Sequence, residues 1–72
     1  MKDIRDKIGL KLFQLRQEKG ISRKQLANQI NLSVNSIMAI ENGNAIPTIP
    51  NLKKYLNYFG CTLEEFFNSI EE

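Results

Sequence analysis

The chain has 72 residues, with Lys+Arg 10 against Asp+Glu 8 and a formal charge of +2. One Cys and no His exclude an internal disulfide, a Cys/His zinc site and a His-based catalytic triad. Hydrophobic content of 42% with 25% charged residues fits one globular domain over 1–72. No apolar run approaches the roughly 18 residues of a bilayer span, and no apolar segment follows the N-terminal Lys and Arg. The expectation is a small cytoplasmic domain that binds something, with no membrane contact, metal, cofactor or catalysis.

The charge is uneven. Residues 1–60 carry ten basic side chains against Asp3, Asp6, Glu18 and Glu41, a balance of +6. Residues 61–72 carry Glu64, Glu65, Glu71 and Glu72, a balance of −4. A basic body with an acidic tail fits a polyanion partner with the tail turned away; solvated helix surfaces would give the same totals.

Helical spacing dominates the pattern, and period-2 alternation is nearly absent. In a first helix near 3–19, Ile4, Ile8, Leu12 and Leu15 share one face, and Gly20 supplies the left-handed stop. A second, near 23–30, opens with Ser22 as cap, Gln25 completing a capping box and Ile21 stapling Leu26. A third, near 34–42, repeats the design with Ser33 as cap and Leu32 against Ile37. A fourth, near 49–58, starts at Thr48 with Pro50 in its first turn and ends at Gly60. The fifth, near 63–69, has Thr62 as cap, Glu65 closing the box, and Cys61 opposite Phe66. Cys61 reads more readily as a small buried hydrophobe than as a redox switch.

Only Asn31, between Ile30 and Leu32, separates the second helix from the cap of the third. Such a tight turn makes the two helices cross steeply. The crossing needs a small residue, here Ala27, and a residue tolerant of positive φ, here Asn31. Leu26, Ile30, Ile37 and Ile40 form the apolar underside of a helix-turn-helix over about 22–42, followed by helix 5 and an acidic tail over 62–72.

On these residues the chain resembles the Cro/repressor-type (XRE-like) helix-turn-helix domains. The matching positions are Ile8-Gly9, Leu15-Arg16, Gly20, Ser22, Leu26-Ala27, Ser33, Ile37, Ile40-Glu41, Gly43, Pro47, Gly60 and Leu63. It departs from the pattern with Arg23 where Gln usually opens the second helix, and with Asn31 where the turn usually holds Gly. The loop Asn42-Gly43-Asn44-Ala45-Ile46 is also uncharged. The resemblance implies an all-α, compact five-helix, lambda-repressor-like domain. It implies a sequence-specific regulator of transcription on double-stranded DNA, a repressor by type, cytoplasmic in a prokaryote or phage. An antitoxin or controller protein of a two-gene module, or a protein-binding adaptor with weak DNA binding, would share the fold.

Within that frame Asn35, Met38, Ala39 and Asn42 point roughly away from Ile37 and Ile40 with Val34 on the flank, and Val34, Asn35, Met38 and Ala39 are the candidate base readers. Asn35 can pair with adenine, and the apolar three can touch thymine methyls. Ser22, Arg23 and Lys24 at the second helix, with Ser33, Asn42 and Asn44 around the third, are candidate phosphate contacts. A solvated role for Arg23 and Lys24 is the plainer alternative. Glu41 opposes the dipole in the last turn of its helix; the resemblance pairs it with Arg16 across helices. Leu10 and Phe13 on the first helix, with Phe66, Phe67 and Ile70 on the fifth, exceed what one small core needs. Either Phe66 and one neighbour fill the core and the rest are incidental exposure, or these residues form the interface of a homodimer or another protein partner. A homodimer would sit on a near-palindromic operator.

Overall fold

A computed structural model describes Asp3 to Ile70; the expected ends of the acidic tail, Glu71 and Glu72, lie outside the described residues. Its helices are α1 (Ile4–Lys19), α2 (Arg23–Ile30), α3 (Val34–Glu41), α4 (Ile49–Phe59) and α5 (Leu63–Ile70), with no strand among the described residues. These bounds lie within a residue of those expected. No helix among the described residues is long and apolar enough to cross a membrane.

Local chemistry sets the boundaries. Asp3, Ser22, Ser33 and Thr48 each accept a backbone N–H of their own helix's first turn. Ser22 Oγ accepts from Gln25 N at 3.1 Å while Gln25 Oε1 accepts from Ser22 N at 2.8 Å. Thr62 and Glu65 repeat that exchange at 3.0 and 2.9 Å. The Thr62 backbone N–H, and then its hydroxyl, hold the Glu65 carboxyl below its ordinary range. A depressed folded-state value means that the cap's stability is present above the unfolded carboxylate range and is lost as pH falls through the depressed value.

The helix ends are equally explicit. Gly20, Asn31 and Gly60 follow α1, α2 and α4 with φ of 70°, 58° and 72°. Asn31 is the one non-Gly residue with positive φ among those described, at the position the tight turn requires. After α3, Gly43 at φ 80° lets its own N–H reach Ile40 O at 3.1 Å and Asn44 N reach Ala39 O at 2.8 Å. That pair of bonds is a Schellman stop.

All five helices feed one core. Ile8, Leu12, Leu26, Ala27, Ile30, Ile37, Ile40, Leu52, Tyr55, Leu56, Phe66 and Ile70 are buried, and Ile21, Leu32 and Cys61 pack partly buried against them. Desolvation, with Glu65 adding to it, pushes the Cys61 thiol up, which suits an apolar packing role better than a reactive one.

One expectation about the apolar faces is corrected. The buried face of α1 is Ile8, Gly9, Leu12 and Arg16, while Ile4 is 49% exposed because the first turn of α1 overhangs the core. On α5 the core-filling alternative describes Phe66 and Ile70, which are both buried, and Phe67 packs partly buried against the same cluster.

Gly9 fixes how closely α1 meets α3. A Cβ there would collide with the backbone carbonyl oxygens of Ile40 and Glu41, which cannot swing aside as a side chain could. Helix propensity alone favours Gly9→Ala by about 1 kcal/mol. The collision should outweigh it, for a net loss of about 1–2 kcal/mol on urea unfolding. Unchanged or increased stability would show that α1 and α3 are not locked at this distance.

Candidate nucleic-acid interface

The third helix is anchored by Ile37, Ile40 and Glu41, all buried. That register turns the other side outward: Asn35 is exposed, Met38 is 39% exposed, and Val34 and Ala39 are half-buried on the flanks. The expected readers thus share a continuous surface of polar amide, thioether and methyl groups. Asn35, Ser36 and Ala39 also form one wall of a groove whose other wall is Ala45, Ile46, Pro47, Thr48 and Asn51. Sequence reasoning had not included Ser36, Ile46 or Asn51. Ser36 was legible from its wheel position beside Asn35, whereas the approach of residues 45–51 depends on the tertiary turn after α3.

The rim of this surface is the start of α2. In the capping box Ser22 Oγ and Gln25 Oε1 both act as acceptors, so the Ser22 O–H and the Gln25 NH2 have no protein acceptor among the described residues. The backbone N–H groups of Arg23 and Lys24 have no protein partner among the described residues, at the positive end of the helix dipole. Lys24 is exposed and Arg23 half-exposed. At α3, the Ser33 hydroxyl accepts from Ser36 N at 3.0 Å and lies 2.9 Å from Ser36 Oγ. Ser33 is therefore first a cap. Asn42 and Asn44 are exposed beyond the far end of α3.

Behind the face sits a buried ionic centre. Arg16 grips Glu41 through two bonds, Nε to Oε2 at 2.7 Å and Nη2 to Oε1 at 3.0 Å. Their side chains are 7% and 1% exposed. Arg16 Nη1 donates to Ile21 O at 2.9 Å, which ties the α1–α2 turn to the same centre. Glu41 also accepts from Arg23 Nε at 3.0 Å, so Arg23 is not the free or purely solvated cation envisaged from sequence. Arg23 begins α2 and Glu41 ends α3, so this contact spans the helix-turn-helix from its first residue to its last. Tyr55 of α4, missed in the sequence, is fully buried near this centre. Desolvation, then the Glu41 charge, push its phenol well above the ordinary value, with Arg16 pulling the other way.

Leu10 and Phe13 do not form a separate apolar patch. They line an open cleft of about 500 Å³ together with Asp6, Arg23, Glu41 and Asn42. Phe13 is half-buried, and the Arg16 guanidinium lies over its ring at 5.3 Å from the centroid. Leu10, 40% exposed, keeps its expected openness.

Caps, tight turn, buried ion pair and outward helix face together define a helix-turn-helix domain. A helix-turn-helix family model matches residues 12–66, and the chain belongs to that family. It is 40% identical to the control protein C.MunI of Mycoplasma sp over 73 residues, covering 100% of this chain and 99% of that protein. It is 34% identical over 64 residues to the HTH-type transcriptional regulator PuuR of Escherichia coli (strain K12), where the match spans 89% of this chain and 35% of PuuR's length. Among solved structures it superposes on the restriction-modification controller protein C.Esp1396I, determined as a tetramer in complex with its natural 35 base-pair operator. That match has a TM-score of 0.82 at 24% identity, over 97% of this chain and 92% of that one.

Removing one partner from a buried pair costs far more than the pair contributes net. Arg16→Met should therefore lower unfolding free energy by about 3–5 kcal/mol, leaving Glu41 with the half-exposed Arg23 alone. Chemical denaturation showing a loss below about 1 kcal/mol would place Glu41 in a much wetter environment than this.

Proposed function

We propose that this chain is a sequence-specific, double-stranded-DNA-binding transcriptional regulator, a repressor by type, that inserts α3 into the major groove. The single observation that carries this reading is the outward face of α3. It is held rigidly by Ile37, Ile40 and Glu41 while Asn35 and Met38 remain exposed. Asn35 can offer its amide to adenine, and Val34, Met38 and Ala39 can contact thymine methyls, favouring A·T-rich half-sites. Ser22, Arg23 and Lys24 meet the backbone at the start of α2. Ser33, Asn42 and Asn44 serve as uncharged contacts around α3.

The protein acts as a homodimer on a near-palindromic site. At 31 × 24 × 23 Å, one copy is too small to span two major-groove entries about 34 Å apart, whereas two copies side by side match that spacing. A second, narrower reading is a controller protein of a two-gene module, favoured by the full-length match to C.MunI. Under either reading residues 1–72 act as a DNA-binding domain that works in the cytoplasm and binds without a catalytic step or cofactor.

Selection from randomised duplex DNA on the purified protein tests this. The expected product is a near-palindrome with A·T-rich half-sites about one helical turn apart. Asn35→Ala should then bind that duplex more weakly and discriminate less between it and single-base variants, with losses of about 1–3 kcal/mol at the contacted base. Failure to enrich any sequence, or parental affinity and discrimination in Asn35→Ala, would contradict the assignment.

A further inference from the structure

Two guanidinium groups share the Glu41 carboxylate, and they are not equivalent. Arg16, 7% exposed, engages both carboxylate oxygens and spends Nη1 on the Ile21 carbonyl. Arg23, 35% exposed, reaches Oε1 with Nε alone. Its two Nη nitrogens have no partner among the described residues. The three side chains sum to +1, and since Arg16 matches Glu41 with two bonds, the surplus positive charge resides on Arg23. Asp6 lines the cleft beside it but makes no ion pair with Arg23. The result is an arginine clamped by its inner nitrogen, with its outer pair of nitrogens available and its charge not neutralised by direct contact with a second carboxylate.

We propose that Glu41 is a positioning residue for DNA binding. It fixes the Arg23 guanidinium so that the Nη edge meets a single backbone phosphate beside the groove entered by α3. The proposal rests on the DNA-binding reading above and adds to it the role of a buried carboxylate that never touches DNA. A planar guanidinium can hold Glu41 with one nitrogen and present two donors to phosphate oxygens with the others; a lysine ammonium has no such division. Because Arg23 opens α2 and Glu41 closes α3, the phosphate contact and the recognition helix are held by the same three side chains. The phosphate contact thereby sets the register of α3 in the groove as well as adding charge.

The test is the salt dependence of binding to the selected duplex, with thermal melts, for the parent, Arg23→Ala, Arg23→Lys and Glu41→Gln. Arg23→Ala should weaken binding and flatten the slope of log K against log salt by about 1, the loss of one phosphate contact. Arg23→Lys keeps the charge and should keep the slope, yet bind roughly fivefold more weakly at every salt concentration because the clamp is gone. Glu41→Gln, if its melt shows a folded protein, should behave like Arg23→Lys in binding. Arg23→Lys leaves the Arg16–Glu41 pair intact and so decides the matter even if Glu41→Gln does not fold. A structural counter-ion alone would lower the melting temperature of Arg23→Ala and leave the slope at its parental value; that result overturns the proposal. Parental affinity in Arg23→Lys also overturns it, since charge without positioning would then suffice. A parent protein that binds no duplex overturns the DNA reading itself and this proposal with it, whereas a binding parent with a parental slope in Arg23→Ala overturns this proposal alone.

Discussion

A carboxylate that is 1% exposed at the last residue of a helix is unfavourable twice over, through desolvation and through the helix dipole. The bonds that hold α1 and the start of α2 against the end of α3 converge on Glu41. Arg16 brings α1 to it, the Ile21 carbonyl locks Arg16 to the α1–α2 turn, and Arg23 brings the start of α2. Gly9 then removes the one side-chain volume that would keep α1 from the α3 backbone. The angle of α3 is therefore set by directional, charge-assisted bonds at its C-terminal end and by apolar packing of Ile37 and Ile40 along its length. Apolar packing alone tolerates small rotations; a bidentate arginine does not.

That division of labour suits a reader of DNA. Asn35 and Met38 are exposed and can vary at little cost to the fold, whereas Val34 on the flank packs partly buried against the core. The buried centre, by contrast, must stay intact for the face to be presented at all. A rigid recognition element with few cations nearby makes affinity depend on register and on pairing of two copies more than on bulk charge. Across residues 22–47 only Arg23, Lys24 and Glu41 are charged, which places unusual weight on how Arg23 is held.

The fold was legible because its grammar is local. Ser22 with Gln25, Ser33, Thr48, Thr62 with Glu65, and the stops at Gly20, Asn31 and Gly60 each act within one helical turn, and short-range patterns report short-range physics. Periodicity did less well on α1, where Gly9 and Arg16 occupy buried positions that an apolar count assigns to neither face, and where Ile4 overhangs the core. The expectation that Arg16 meets Glu41 came from the family resemblance, since nothing in a local window connects residues 25 positions apart. Arg23's tie to Glu41 across 18 positions, the burial of Tyr55 near that centre, and the groove wall at 45–51 are tertiary facts with no local signature. The apolar excess on α5 was real, but the core absorbed Phe66 and Ile70, because counting apolar residues does not measure the space available to them.

The proposed DNA-facing surface is the outward side of α3 together with the start of α2. Its most direct test is an NMR titration of labelled protein with the selected duplex, following each backbone and side-chain amide. The largest shifts should fall on residues 22–24 and 33–39, including the Asn35 side-chain amide, while α5 shifts only where two copies meet. Shifts centred on α1 and α5, with α3 unmoved, would contradict it.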